Sequence, residues 1–318
     1  MSIIRQRVIS GSLIGAAILA LMALDAWLAG RLNTSDGMTQ SSPLRWLSNG
    51  AISTAILLGL TTLTAREVTQ FVRVMEFRPN RFIVQFFALG LVLGPYISFN
   101  LGRESAWYDE SWGTLWISLA LGLAFLLQAA RRGTEHATVN VAAALFIIIY
   151  TGGLAGYLVR LRMELGGSAG AIVLLYSVFI IKANDIGALF TGMAFGKHKL
   201  IPWLSPKKTW EGFVGGLIIT VLLAVLCGAC LPGDVRETMK AGPLAFPWGF
   251  ILFGLLMGLL SVAGDLTASL LKRDAHLKDS SAIIPGMGGF LDIFDSPLLA
   301  APAAWFFWTR IVPWLQAG

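Results

Sequence analysis

The chain has 318 residues, of which 56% are apolar and 13% charged. An average soluble domain carries roughly 25% charged residues, and 24 Lys and Arg with 18 Asp and Glu cannot clothe a soluble surface around this much apolar sequence. Apolar runs of about 20 residues recur from end to end, so the class is an all-α polytopic integral membrane protein, and disorder, collagen, a disulfide scaffold and a coiled coil are excluded.

About nine spans are expected, at roughly 8–30, 47–65, 82–101, 114–130, 139–158, 169–190, 213–231, 246–265 and 297–315. Each is read as a helix, because lipid leaves no partner for an open strand. The first follows Arg5 and Arg7 and is read as an uncleaved helix rather than a signal peptide. The segment 66–81 mixes charges with Phe71, Val72, Val74, Met75 and Phe77. It reads either as an amphipathic helix on the membrane surface or as a short connector. Cys227 and Cys230 form a lone C-x-x-C in an apolar stretch, which suits helix packing or a disulfide and cannot close a four-ligand zinc site.

Lys and Arg set the orientation. With the N-terminus inside, the inner segments hold 15 of them and the outer segments 7. That bias favours a cytoplasmic N-terminus. The net charge of +6 therefore reports inner loops, and no nucleic-acid partner is expected. The lipid bilayer is the expected partner.

Polar residues crowd into two blocks on the same expected inner side. Block 182–212 ends in SPKKTWEG. There Ser205, Lys207, Lys208, Thr209 and Glu211 stand just before a span, Pro206 sets a turn, and Thr209 caps the next helix, whose N-terminus favours an anion. The spacing is not that of a P-loop. Asn184 and Asp185 are polar residues at the end of an apolar run, where their cost suggests a partner. Block 264–296 holds five of the 18 acids. Asp265, Ser269 and Lys272 stand at i, i+4 and i+7, on one helical face. Asp292 and Asp295 stand at i, i+3, after a PGMGG segment (285–289) that cannot be regular helix. Carboxylates that converge beside lysines suit Mg²⁺ holding a polyphosphate. The alternative is simple ion pairing and helix capping.

At these residues the chain resembles the phosphatidate cytidylyltransferase, or CDP-diacylglycerol synthase, family. One motif is S-x-x-K-R-x(4)-K-D followed by P-G-x-G-G-x-x-D-x-x-D-S. It appears as Ser269, Lys272, Arg273, Lys278, Asp279, Pro285, Gly286, Gly288, Gly289, Asp292, Asp295 and Ser296. The other runs from Asn184 to Gly212. Met287, Ile293 and Leu189 stand where the family usually has His, Arg and Tyr, and none of these departures removes a carboxylate or a lysine.

The resemblance implies a reaction in phospholipid biosynthesis: CTP and phosphatidic acid give CDP-diacylglycerol and pyrophosphate. It implies Mg²⁺, with a second cation allowed, on Asp265, Asp292 and Asp295. Lys272 is expected to stabilise charge during transfer. Asn184, Asp185, Ser205, Lys207, Lys208, Thr209, Glu211, Ser269, Arg273, Lys278, Asp279, Gly288 and Gly289 are expected around the nucleotide phosphates. Residues 1–165 become a scaffold with lipid-access or dimer contacts, and 166–318 the catalytic region. A homodimer suits a small intramembrane enzyme. The membrane is expected to be a bacterial-type inner membrane with the site facing the cytoplasm.

Other readings compete. A transporter or a non-catalytic membrane subunit would use the same carboxylates for ion binding, and Asp25 is the clear mid-span acid. A CDP-alcohol enzyme needs D-x-x-D-G-x-x-A-R, and Asp295 is followed by Ser296-Pro297 instead.

Overall fold

The computed structural model describes residues 15, 17–18, 20–31, 43–102, 111–237, 246–277 and 289–317. It is a helical bundle. The first helix, α1, is described over 20–31, and α2 is the short helix Pro43–Ser48. Then come α3 (Ala51–Val74), α4 (Arg81–Leu101), α5 (Trp112–Arg132), α6 (Ala137–Ile147), α7 (Leu154–Glu164), α8 (Gly167–Phe195) and α9 (Trp210–Ala229). The short α10 (Gly233–Glu237) precedes α11 (Trp248–Asp274), α12 (Leu291–Phe306) and α13 (Val312–Ala317). A π-helical turn at Ile148–Gly153 joins α6 to α7, and another at Phe307–Ile311 joins α12 to α13.

Among the described residues, seven helices are long and apolar enough to cross a membrane. Counting α6 to α7 as one helix, they coincide with the second to eighth expected spans. The first expected span lies partly outside the described residues. The ninth corresponds to the run α12–α13, which begins at Leu291 rather than Pro297. Asp292 and Asp295 therefore lie inside the helix, with Pro297 and Pro302 behind them.

Two local expectations change. The segment 66–81 is not a separate surface helix. Its first part completes α3, and Glu67, Val68, Thr69, Phe71 and Val72 are buried there. The loop before α9 is not a simple turn at Pro206. It folds as a hairpin of β1 (Lys199–Ile201) and β2 (Ser205–Thr209), antiparallel, with Lys199 opposite Thr209 and Ile201 opposite Ser205. The reversal falls at 202–204, closed by the Leu204 N–H on the Ile201 carbonyl. Pro206 sits in a strand of a two-stranded sheet, where a missing N–H is tolerated.

The main core joins the inner faces of α3, α7, α8, α11 and α12 through Phe71, Leu158, Ile180, Phe253 and Leu298. One ion pair is buried in it. Asp25 of α1 accepts from Arg162 of α7 at 2.8 Å and from Ser53 of α3 at 2.9 Å, and both charged side chains are 1% exposed. Arg162 thus belongs to the interior rather than to an outer loop. Cys227 and Cys230 are free thiols on or beside the last turn of α9.

Candidate active site

The site forms where α8, α11, α12 and β2 meet. Gly264 permits the approach. A Cβ there would stand 2.7 Å from the Asp295 carbonyl and 2.7 Å from the Ser296 Cα, so only glycine lets α11 come this close to α12. The two helices then share a ladder of polar contacts. Asp265 meets Ser296, and two turns further along α11 Lys272 meets Asp292. The i, i+7 spacing of Asp265 and Lys272 is what carries both rungs on one face.

Ser296 is the hub. Its hydroxyl lies 3.2 Å from Asp265 Oδ1, 3.3 Å from Asp295 Oδ1 and 3.3 Å from Asp185 Oδ2. Three carboxylates from three helices therefore surround one hydroxyl. Asp185 also accepts from Ser261 Oγ at 2.6 Å. Asp295 accepts the Ser296 N–H at 2.6 Å and is 3% exposed.

Three lysines pair with the four acids. Lys182 lies 2.9 Å from Asp185 and 3.7 Å from Asp295. Lys208 reaches Asp265 at 3.0 Å. Lys272 reaches Asp292 at 2.5 Å. Alternation along β2 separates the adjacent lysines: Lys208 turns inward and Lys207 is exposed.

The first turn of α12 is held from outside the motif blocks. Glu67 of α3, 3% exposed, accepts the N–H of Phe290 at 3.0 Å and of Leu291 at 2.8 Å. Asp292 accepts the Gly289 N–H at 3.1 Å. These acceptors satisfy donors that a helix start leaves without partners, and carboxylates suit its positive end. Gly289 is needed for the contact, since a Cβ there would lie 2.5 Å from the Glu67 carboxylate oxygens.

The other expected residues take separate places. Thr209 is the N-cap of α9, accepting the Gly212 N–H at 3.1 Å. Glu211 accepts from the N–H groups of Lys197 and His198 and pairs with the His198 ring at 2.6 Å, so it shapes the hairpin entrance. Arg273 ties α11 to the hairpin through the Leu204 carbonyl at 3.5 Å. Asn184 is buried between helices and accepts from Thr220 at 3.4 Å. Ser205 and Ser269 are half-buried, and among the described residues neither side chain hydrogen-bonds to the carboxylates. Lys278, Asp279 and Gly288 lie outside the described residues.

The carboxylates can be tested for a Mg²⁺ site. The donors are all hard oxygens, as Mg²⁺ requires. Asp265, Asp295 and Asp185 meet at Ser296, while Asp292 stands one helical turn away on Lys272. Among the described residues no three acids, histidines or cysteines close into a full metal cage. Mg²⁺ usually binds through one or two carboxylates and completes its shell with phosphate oxygens and water. Sequence reasoning missed Lys182 and Glu67 as parts of this site. Lys182 begins the first polar block, so that signal was present. Glu67 lies in a segment without a motif.

Comparison with known proteins identifies the family. Residues 38–311 match the model of the cytidylyltransferase family. The chain is 34% identical to a phosphatidate cytidylyltransferase of Haemophilus influenzae over 269 residues, covering 80% of this chain and 89% of that one. It is 31% identical to the phosphatidate cytidylyltransferase of Synechocystis over 295 residues, covering 85% and 91%. It is 30% identical to phosphatidate cytidylyltransferase 5, chloroplastic, of Arabidopsis thaliana over 289 residues, covering 82% and 67%. The chain belongs to the cytidylyltransferase family.

Proposed function

We propose that the chain is a phosphatidate cytidylyltransferase that makes CDP-diacylglycerol and pyrophosphate from CTP and phosphatidic acid. The observation that carries this reading is the meeting of Asp185, Asp265 and Asp295 at Ser296, with Lys182 and Lys208 paired into the same cluster. Such a site brings two anions together, and that is the main barrier to joining a lipid phosphate to a nucleotide.

The lipid phosphate oxygen attacks the α-phosphorus of CTP. A new P–O bond forms, the bond from that phosphorus to the α–β bridging oxygen breaks, and pyrophosphate leaves with the electron pair. The nucleophile is already an anion, so no protein base is required. Catalysis is positioning and charge neutralisation. Asp265 and Asp295 would hold Mg²⁺, with Asp185 beside them. When bound, the ion supplies positive charge to the phosphate oxygens. Lys208 pairs with Asp265 and Lys182 with Asp185 and Asp295, and both lysines are positioned to turn toward phosphate. Lys272 and Asp292 hold the adjoining turn of α12, and exposed Lys207 meets the incoming nucleotide.

The cytoplasmic Lys and Arg bias supports an inner-membrane protein with the site facing the cytoplasm, where CTP is found. The test is label transfer with the purified protein. CTP labelled at the α-phosphorus should deliver its label to lipid, and CTP labelled at the γ-phosphorus should deliver it to pyrophosphate. Label from the γ position in lipid would overturn the reaction.

A further inference from the structure

Two reversals of the chain lie side by side at one end of the bundle. One joins α3 to α4 and the other joins α5 to α6. Between them is a cavity of about 170 Å³ lined by Arg73, Arg78, Arg81, Arg131 and Arg132. Among the described residues no carboxylate lines it. Among the described residues none of these five arginines makes an ion pair, and Arg73 Nε is buried without a hydrogen-bond partner.

The cavity is built rather than a loose collection of loop charges. The Arg78 N–H donates to Asn140 Oδ1 at 2.7 Å. Asn140 Nδ2 donates to Gln128 Oε1 at 3.4 Å, and Gln128 Nε2 to the Glu135 carbonyl at 2.9 Å. Asn140 and Gln128 are both buried. The Arg132 guanidinium donates to the Arg78 carbonyl. Buried amides thus pin the α3–α4 connector against α5 and α6, with the guanidiniums gathered around one space. Like charges held together repel; Arg73 is half-buried, while Arg78, Arg81, Arg131 and Arg132 are exposed and partly hydrated, so a bound anion would relieve repulsion that water alone leaves. Guanidinium forks match phosphate oxygens in geometry.

The rim shows which anion. Phe82 lines the cavity and is 81% exposed, and Phe86 and Leu126 continue the apolar outer surface of α4 and α5. A phosphate in the cavity would have acyl chains lying on that surface. Glu67 on α3 reaches the start of α12, so this end of the bundle is also the end that carries the carboxylates.

We propose that this cavity is a binding site for the phosphate of an anionic phospholipid headgroup, separate from the carboxylate cluster. It stands on its own geometry and does not depend on the reaction above.

The test uses the full-length protein in nanodiscs of phosphatidylglycerol or of phosphatidylcholine. Arginine modification by phenylglyoxal is read residue by residue by mass spectrometry, with exposed Arg236 as the reference. Modification of Arg78, Arg131 and Arg132 should be at least about fivefold slower in phosphatidylglycerol. Inorganic phosphate added to phosphatidylcholine discs should protect less than about twofold. Equal rates in both lipids would overturn the proposal. Equal protection by inorganic phosphate would replace the lipid with a free-phosphate site and so overturn it too. In native mass spectrometry, the Arg78→Gln/Arg131→Gln/Arg132→Gln variant should retain at least about tenfold less phosphatidylglycerol than the corresponding triple lysine variant. Equal retention would also contradict the site. The labelling arm uses the wild-type chain and decides the matter even where the glutamine variant fails to fold.

Discussion

Glu67 accepts the backbone N–H of Leu291 at 2.8 Å, which ties the end of α3 to the first turn of the helix carrying Asp292 and Asp295. The two residues are far apart in sequence, and the bond is buried. The position of α12, and so of Asp295 at the Ser296 hub, depends on it.

Glu67→Gln keeps one acceptor oxygen and loses the negative charge that suits a helix N-terminus. The expected loss of stability is about 1–2 kcal/mol. Turnover should fall about tenfold, which is about 1.4 kcal/mol in the barrier. The half-saturating Mg²⁺ concentration should rise with it. A lower melting temperature with unchanged Mg²⁺ dependence would make Glu67 a structural cap and nothing more.

The adjacent lysines of β2 should separate kinetically. Lys208→Ala leaves Asp265 without its partner at 3.0 Å and should lower kcat by about 100-fold or more. Lys207→Ala, on the exposed face, should raise the KM for CTP by about tenfold with little change in kcat. Steady-state kinetics on the two variants would show this. Similar defects in both would contradict the alternation seen in the strand.

Gly264→Ala puts a methyl group 2.7 Å from the Asp295 carbonyl. Backbone atoms cannot swing aside, so α11 and α12 must separate. A stability loss of about 1–3 kcal/mol is expected. Turnover should fall further than that loss explains, because the Asp265–Ser296 contact opens. The check is activity per folded molecule, with folding measured by thermal denaturation in detergent.

Asp25→Asn breaks a fully buried ion pair and leaves the Arg162 charge behind. It should cost about 3–5 kcal/mol of stability. The protein that remains folded should keep wild-type KM values. A specific loss of kcat without destabilisation would instead favour a functional intramembrane acid, as a transporter would need.

Much of the site was legible in the sequence. Helical periodicity placed Asp265 and Lys272 on one face, and α12 receives both. Thr209 reads as a cap and is one. Glycine-rich text before Asp292 marked a close approach, which turned out to be the contact of Gly289 with Glu67. What stayed hidden depends on contacts between distant segments. Nothing in REVTQF says that Glu67 is buried against residue 291, since charge in an inner loop has a simpler explanation. The hairpin was missed because Ser205–Thr209, with a proline and two lysines, has little strand propensity; it forms as a short ribbon with its lysines split between two faces. Asp25 read as an isolated mid-span acid because its partner, Arg162, lies 137 residues away.

The most direct measurement is CDP-diacylglycerol formation by the purified protein from CTP and phosphatidic acid, with and without Mg²⁺, alongside Asp295→Asn. Product should require Mg²⁺ and fall by at least about 100-fold in the folded variant. Undiminished product from Asp295→Asn, or no product from the folded wild type at any Mg²⁺ concentration, would contradict the proposed reaction and its carboxylate site.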